Sequence, residues 1–285
     1  MSGQIFHRCP TAYIGSGRCV AVMTDSRYGE LKAWLRERGS VVLAYSGGVD
    51  SALLAQACVD ALPGKHQAFL ADLPYLSARQ RGIALDVAEA MGLHLQVIPI
   101  GWEEMSLANA NDEERCYHCK SIVYSLGREL SSSLGVETLI DGENADDQEG
   151  ERPGRRAAAD HGVLSPLREL GIGRGELESM ALALGIPMRM EKETCLATRI
   201  KGQPLSPELL SGVEEGEKAL RSVCELRELR LRRFPCGHVV QVREEEMPLL
   251  LKHREAVMAA LREVGINAAS LSLRPYRSHG GAGER

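Results

Sequence analysis

The residues best suited to chemistry lie in the run Val41-Val42-Leu43-Ala44-Tyr45-Ser46-Gly47-Gly48-Val49-Asp50-Ser51. An apolar, strand-like stretch breaks there into a Ser-Gly-Gly turn and then enters a helical pattern carrying Leu53, Leu54, Ala57 and Cys58. Gly47 and Gly48 can take positive φ and admit a ligand to the backbone, while Ser46, Asp50 and Ser51 set oxygens around the bend. A helix opening near Val49 or Asp50 aims unpaired N–H groups and its positive dipole end at the same point, so an anion is expected there. The lysine and spacing of a Walker loop are absent.

Three other stretches carry reactive or ligating groups. In Arg115-Cys116-Tyr117-His118-Cys119-Lys120, two cysteines three apart on a helix or tight turn present both sulfurs to one side. Such a pair serves as a redox couple, half of a zinc site or two ligands of an iron–sulfur cluster; the lack of a second C-x-x-C or H-x-x-x-H counts against structural zinc. The stretch Asp141-Gly142-Glu143-Asn144-Ala145-Asp146-Asp147 is dense enough in carboxylates to be either a solvated acidic loop or, beside a triphosphate, a holder of Mg²⁺ through Asp50, Asp146 and Asp147. Cys195 stands in a polar-flanked loop, Glu193 to Ile200, where a buried spacer is the commoner role for a cysteine than a nucleophile.

The elements that must position these groups follow from periodicity. A helix over Tyr28 to Arg38, stopped by Gly39, leads into the first strand. Strands at Gln67–Ala71, Leu93–Ile100 and Thr138–Asp141 alternate with helices at Ser77–Met91 and from Arg115 to about Leu134. This is the pattern of an α/β fold with a parallel sheet covered on both faces, which places the Ser-Gly-Gly turn at the carboxyl ends of the strands. Asp72, just past the second strand, falls at the same sheet edge, either as a ligand contact or as a turn residue preceding the next helix. A further helix is expected from Arg174 to Leu184.

From about Ser206 the pattern changes to a smaller C-terminal α+β domain: a helix to Leu226, strands Glu228–Arg232 and His238–Val242, a helix from Glu245 to Val264 and a strand Ser270–Leu273. Arg230 and Arg232, two apart on a strand, point to one face, as an exposed basic stripe or a phosphate clamp. The expected division is an N-terminal extension over 1–25, a nucleotide domain over 26–203, the small domain over 204–277 and a disordered tail over 278–285.

Composition bounds the function. At 285 residues and 44% hydrophobic the chain can bury a large core with a smaller satellite. A net charge of -5 gives no general basic field, which argues against nucleic acid as partner, although arginines gather at Arg152, Arg155, Arg156 and at Arg227, Arg230, Arg232, Arg233. No apolar run nears the roughly 20 residues that span a bilayer and Met1 to Val20 lacks a signal pattern, so a cytoplasmic protein without a membrane partner is expected. Eight cysteines in that compartment are then buried small hydrophobes or chemistry, not a disulfide framework.

The Ser-Gly-Gly turn resembles the pyrophosphate loop of the N-type ATP pyrophosphatases, the adenine nucleotide alpha-hydrolase-like enzymes that split ATP between its α and β phosphates. Taken with Arg115 to Lys120, Asp141 to Asp147, Arg152-Pro153-Gly154, Ser165-Pro166-Leu167 and Cys195-Leu196-Ala197-Thr198-Arg199-Ile200, in that order, the chain resembles the LarE-type ATP-dependent sulfur transferases over most of its length. The resemblance implies ATP and Mg²⁺ as cofactors, with Ser46, Gly47, Gly48, Val49, Asp50, Ser51, Asp72, Asp141, Gly142 and Asn144 around the nucleotide. It puts Cys195 at the sulfur-donor position with Cys116, Cys119 and Arg199 as catalytic neighbours, and Arg230 and Arg232 on a substrate phosphate. Two sulfur sources follow: sacrifice of the Cys195 sulfur, or a [4Fe-4S] cluster on Cys116, Cys119 and Cys195 carrying a sulfide. The acceptor implied is a pyridinium dicarboxylate mononucleotide in nickel-pincer cofactor biosynthesis, with a homo-oligomer, a sulfur donor and neighbouring biosynthetic enzymes as partners. A tRNA-thiolating enzyme, an ammonia-dependent synthetase and a nucleotide-binding module without catalysis are the alternatives. The chain departs from the family at Asp72-Leu73-Pro74, where Ser-Pro is common, at Thr198, where serine is usual, and at Gln241, which replaces a carboxylate.

Overall fold

The computed structural model describes residues 17–147, 153–187 and 194–276, with side chains from residue 26 onward. Cys9, Arg152, Lys192, Glu193 and the tail 278–285 lie outside the described residues, as does most of the 1–25 extension. In chain order the elements are α1 (Gly17–Arg38), β1 (Val41–Ala44), α2 (Val49–Ala61), β2 (His66–Asp72), α3 (Ala78–Ala90), β3 (Leu95–Pro99), α4 (Ser106–Asn109), α5 (Arg115–Leu134) and β4 (Thr138–Asp141). There follow α6 (Pro153–Asp160), α7 (Pro166–Glu169), α8 (Arg174–Ala183), a 3₁₀ turn Leu196–Arg199, α9 (Pro207–Val223), β5 (Leu229–Phe234), β6 (Gly237–Val242), α10 (Met247–Lys252), α11 (Arg254–Glu263) and β7 (Ala269–Leu271).

The first four strands form one parallel sheet in the order β3-β2-β1-β4. Its strands are apolar on both sides because both sides are covered. Val41, Leu43, Ala68, Leu70 and Ile140 pack into one hydrophobic cluster with α1, α2 and α8, and Val42, Phe69, Ala71 and Leu139 pack into another beneath α5 and α6. A three-stranded sheet β5-β6-β7 forms the C-terminal unit, antiparallel then parallel. Leu229, Leu231, Val240 and Val242 on one of its faces pack with Leu220, Val257 and Leu261. No helix among the described residues is long and apolar enough to cross a membrane.

Local signals set several boundaries. Ser77 caps α3 by accepting from the Gln80 backbone N–H at 3.1 Å while the Gln80 side chain accepts from the Ser77 N–H at 3.2 Å, the reciprocal arrangement that starts the helix there. Two expectations are corrected. The first helix begins at Gly17 rather than Tyr28, eleven residues earlier and within what composition suggested was irregular extension. The helix expected from Glu245 to Val264 is split, α10 ending at Lys252 and α11 starting at Arg254 with His253 between them, so that Leu250 and Val257 both reach the C-terminal core.

The turn after β1 also differs in detail from expectation. Gly47 takes φ +77°, but Gly48 has φ −72° and serves as the residue before the first turn of α2. A Cβ on Gly47 would lie 2.5 Å from the Ala84 backbone of α3, whereas at Gly48 the nearest atom is the Ser46 Oγ at 3.6 Å. Gly47→Ala should therefore lower the unfolding free energy by about 2–3 kcal/mol, from strain plus overpacking, and Gly48→Ala by under about 1 kcal/mol, as read by urea unfolding.

Candidate functional site

The carboxyl ends of β1, β2 and β4 meet the sequence-predicted groups. After β1, Ser51 at the start of α2 closes the turn from inside: its Oγ accepts from the Ser46 N–H at 3.2 Å, lies 3.1 Å from the Ser46 Oγ and donates to the Gly48 carbonyl at 3.0 Å. Gly48 supplies no side-chain cap, so the first N–H groups of α2 have none from that position. Asp50 stands in the first turn, with the Arg174 guanidinium at 4.0 Å. Ser46 and Gly48 are exposed, and Ser51 and Val49 are buried beneath them.

After β4 the backbone presses on this turn. A Cβ on Gly142 would lie 2.9 Å from the Ser51 N, so only glycine lets the strand end approach α2 this closely. Asp141 is buried and fully used: Tyr124 Oη donates to it at 2.5 Å, Ser165 Oγ at 2.7 Å and the Glu143 N–H at 3.2 Å. Burial and the Asp141 charge push the Tyr124 phenol well above the ordinary tyrosine range. Asn144 accepts from the Asp146 N–H at 2.8 Å, Asp147 accepts from the Asn144 N–H at 3.2 Å, and Asp146 accepts from the Arg174 N–H at 2.6 Å at the start of α8. Asp72, at the end of β2, is held at 2.8 Å by Arg81.

The Cys195 segment crosses the end of β2. The Leu196 N–H donates to the Tyr75 carbonyl at 2.8 Å, and Tyr75 in turn donates its hydroxyl to Asn109 at 2.5 Å. Asn111, in the left-handed region at φ 59°, donates to the Ile200 and Gln203 carbonyls, and Arg115 at the start of α5 bridges Asn111 Oδ1 at 2.6 Å and the Ala197 carbonyl at 3.3 Å. The same guanidinium reaches the Cys116 sulfur at 3.8 Å. The three cysteines thus share one electrostatic neighbourhood. Cys116 is exposed, while Cys119 and Cys195 are half-buried.

Burial dominates these thiols. It pushes Cys119 up to about 12, with Cys195 and Cys116 adding to the rise, and it pushes Cys195 above the ordinary thiol range although Arg115 and then Arg199 pull it back. Burial works against the Arg115 guanidinium too, yet Cys195 and Cys116 hold it above the ordinary arginine value. Arg199 does act on Cys195 as a cation that favours the thiolate, but Arg115 is the stronger of the two and burial outweighs both, so the thiol stays above its ordinary range.

Arg199 does something else. It is 2% exposed and pairs with Glu217 of α9, 4% exposed, at 2.9 and 3.3 Å. Its Nη1 donates to the Thr194 carbonyl at 2.6 Å and the Cys195 carbonyl at 3.1 Å, so it braces the backbone of the cysteine turn from beneath. Burial alone would raise the Glu217 carboxyl; the charge and hydrogen bonds of Arg199, with Arg221, outweigh it and hold the group below the ordinary carboxyl range. Glu217 also accepts the Leu231 N–H of β5 at 3.0 Å.

Arg230 and Arg232 share a face, as their spacing predicts, but the face is not a solvated stripe. They are 3% and 7% exposed. Arg232 donates to Gln241 and, at 3.1 Å, to the Thr198 carbonyl of the cysteine turn; Arg230 donates to Leu229 O and Tyr276 Oη and lies 4.7 Å over the Tyr276 ring. Arg232 thus ties the C-terminal sheet to the Cys195 segment, while Arg230 is held against Tyr276. Tyr75, Asn109, Asn111, Arg115 as a Cys195 neighbour, and Glu217 were not singled out from the sequence; only Asn111-Asp112, a turn-forming pair, left a local signal.

Among the described residues no three His, Cys, Asp or Glu side chains converge as a metal site. Mg²⁺ needs no such cage, since it takes one or two carboxylates and completes its shell with phosphate and water, and the hard oxygens at Asp50, Asp146 and Asp147 suit it. Cys116, Cys119 and Cys195 stand near enough for each thiol to feel the charge of another, and thiolates are the donors that an iron–sulfur cluster takes.

Comparison with known proteins decides the family. A model described as NAD synthase matches residues 27–122, the segment from the middle of α1 through the cradle and into α5. An uncharacterized protein of Synechocystis sp. is 34% identical over 203 residues, covering 70% of this chain and 75% of that protein. An uncharacterized protein of Methanocaldococcus jannaschii is 28% identical over 254 residues, 88% of this chain and 97% of that one. The pyridinium-3,5-bisthiocarboxylic acid mononucleotide synthase of Lactiplantibacillus plantarum is 24% identical over 251 residues, 87% of this chain and 91% of that one. The chain belongs to the LarE-type PP-loop proteins. As such it is of the ATP pyrophosphatase type, with the parallel α/β sheet of that group.

Two outcomes are expected from this geometry. Glu217→Gln, which strands a buried guanidinium, should cost about 3 kcal/mol at neutral pH by urea unfolding. Because the folded-state carboxyl is depressed, its stabilisation is present above the ordinary carboxyl range and lost as pH falls through the folded value, so the gap from wild type should narrow below about pH 4. In mass-spectrometric alkylation near neutral pH, the exposed Cys116 and Cys236 should react well before Cys195, whose rate should climb only as pH is raised beyond the ordinary thiol range.

Proposed function

We propose that the protein is an ATP-dependent sulfur transferase that adenylates a carboxylate of a pyridinium dicarboxylate mononucleotide and converts it to a thiocarboxylate with sulfur from Cys195. What supports this reading above all is the seating of the Cys195 turn on the Tyr75 carbonyl, past the end of β2, one strand from the Ser46-Gly47-Gly48 bend that follows β1.

A carboxylate is a poor acyl donor because its oxygen leaves badly. In the first step its oxygen attacks the α phosphorus of ATP, the bond to the bridging oxygen of the β phosphate breaks, and pyrophosphate departs to leave an acyl-adenylate. Ser46, Gly47, Gly48, Ser51 and the N–H groups opening α2 receive the growing negative charge on the departing diphosphate. Mg²⁺, held by Asp50 with Asp146 or Asp147, would supply further charge neutralisation there. Asp72 ends β2 and Asn144 follows β4, which suits them to contact the nucleoside of ATP.

In the second step the Cys195 sulfur attacks the acyl carbon, losing its proton as the bond forms, and AMP leaves. The Arg115 charge beside the sulfur stabilises the anionic form during the attack. Breaking the Cβ–Sγ bond with loss of the Cα proton then releases the thiocarboxylate and leaves dehydroalanine at position 195, a balance that needs no oxidant. Arg230 and Arg232 are suited to hold the phosphate of the mononucleotide from the C-terminal sheet.

With ATP, Mg²⁺ and the dicarboxylate mononucleotide, wild type should release pyrophosphate and lose the mass of hydrogen sulfide from Cys195 in intact mass spectrometry. Cys195→Ala should still release pyrophosphate and form no thiocarboxylate. Turnover with full retention of protein mass would end the sacrificial route, and absence of pyrophosphate would end the adenylation.

A further inference from the structure

The loop after β4 carries a charge arrangement that neither the cradle nor the cysteine turn uses. Glu143, its side chain only 9% exposed, stands among cations from three different helices: Arg155 of α6 at 3.0 Å, Arg168 of α7 at 3.2 Å and Lys120 of α5 at 3.9 Å. Arg155 also donates to the Asp147 carbonyl at 2.6 Å. Among the described residues, Arg168 makes one hydrogen bond, to Glu143, and Lys120 makes none, its other contact being the Tyr124 ring at 5.8 Å. A guanidinium has five N–H donors and an ammonium three, so Glu143 uses only part of what Arg168 and Lys120 can donate. The three cationic side chains are 30 to 41% exposed while the carboxylate between them is covered.

The position is as telling as the charge. Gly142, the residue before Glu143, is the one pressed against Ser51 in the first turn of α2. The carboxylate that gathers the cations is thus one residue along the chain from that contact.

We propose that Lys120, Arg155 and Arg168 form a second anion site, built for a phosphate or diphosphate group, which Glu143 fills as an internal stand-in until the ligand arrives. A carboxylate carries one charge and two oxygens, whereas a phosphate group brings up to two charges and three oxygens to the same donors, so the exchange favours the ligand. Glu143 lowers the apparent affinity by holding the site in its occupied form. Two sources carry this chemistry, the diphosphate end of ATP and the phosphate monoester of the acceptor nucleotide. The inference rests on the PP-loop reading only for the identity of the ligand; the site itself rests on the charges.

The test is calorimetric titration of the full chain with inorganic pyrophosphate and, separately, with ribose 5-phosphate, each with Mg²⁺ and with a chelator. Glu143→Gln should tighten binding of one of the two probes by about tenfold, since it removes the competing occupant. Arg168→Ala should weaken the same probe, with partial recovery in Arg168→Lys; the probe that responds names the source. Unchanged or weaker binding of both probes to a folded Glu143→Gln protein would overturn the proposal, because a metal-binding or purely structural Glu143 predicts those results. Should Glu143→Gln fail to fold, Arg168→Ala and Lys120→Gln decide the matter by whether affinity falls. Pyrophosphate release from ATP by wild type, measured in parallel, reports on the adenylation alone and so separates failure of the second anion site from failure of the proposed reaction.

Discussion

A guanidinium removed from water must be paired, and the placing of Cys195 depends on how Arg199 is paired. Glu217 neutralises it from α9, and the same carboxylate accepts the Leu231 N–H of β5, while Arg199 spends its remaining donors on the Thr194 and Cys195 carbonyls. One ion pair therefore joins three parts of the chain: the helix of the C-terminal unit, its first strand and the cysteine turn on the parallel sheet. Such a pair contributes little compared with apolar residues of the same shape, but losing one member leaves a buried charge uncompensated. That asymmetry makes it a device for position: the turn cannot shift without breaking several charge-assisted bonds together.

The second constraint is backbone proximity at the other end of the site. Gly142 and Gly47 let the end of β4 and the helix α3 close upon the turn after β1, so the residues between them are fixed by contact with main chain. Asp141, saturated by Tyr124, Ser165 and the Glu143 N–H, anchors the start of the acidic loop rather than facing open space. The loop then turns through Asn144, Asp146 and Asp147 by internal hydrogen bonds.

Much of this was legible in the chain itself, and what was not has a physical reason. The parallel sheet, the cradle at its carboxyl edge, the Ser77 start of α3 and the Arg115–Leu134 helix are written in local periodicity and turn chemistry. The shared face of Arg230 and Arg232 follows from strand alternation, but their burial does not, since it comes from Thr198, Gln241 and Tyr276, which lie 9 to 46 residues away. Arg199 shows the same limit: adjacency to Cys195 points to a cation acting on the thiol, which it is, but its ion-pair partner Glu217 is 18 residues distant and invisible to spacing arguments. The break at His253 was hidden because both halves of that helix continue one apolar face.

The electrostatics of the cysteines bear on how a sulfur donor could wait without being spent. A thiolate is the reactive form, toward an acyl-adenylate and toward oxidants alike. Burial keeps Cys195 protonated, and Arg115 offsets part of that penalty from a position that also contacts Cys116 and the Ala197 carbonyl. The balance leaves the sulfur quiet in the resting protein, yet beside a cation that favours the anion once a strong electrophile draws the proton off. A donor that is used once gains more from being protected than from being fast, and the half-buried turn held by Tyr75, Arg115 and Arg199 gives that protection while leaving the sulfur at the edge where the strands end.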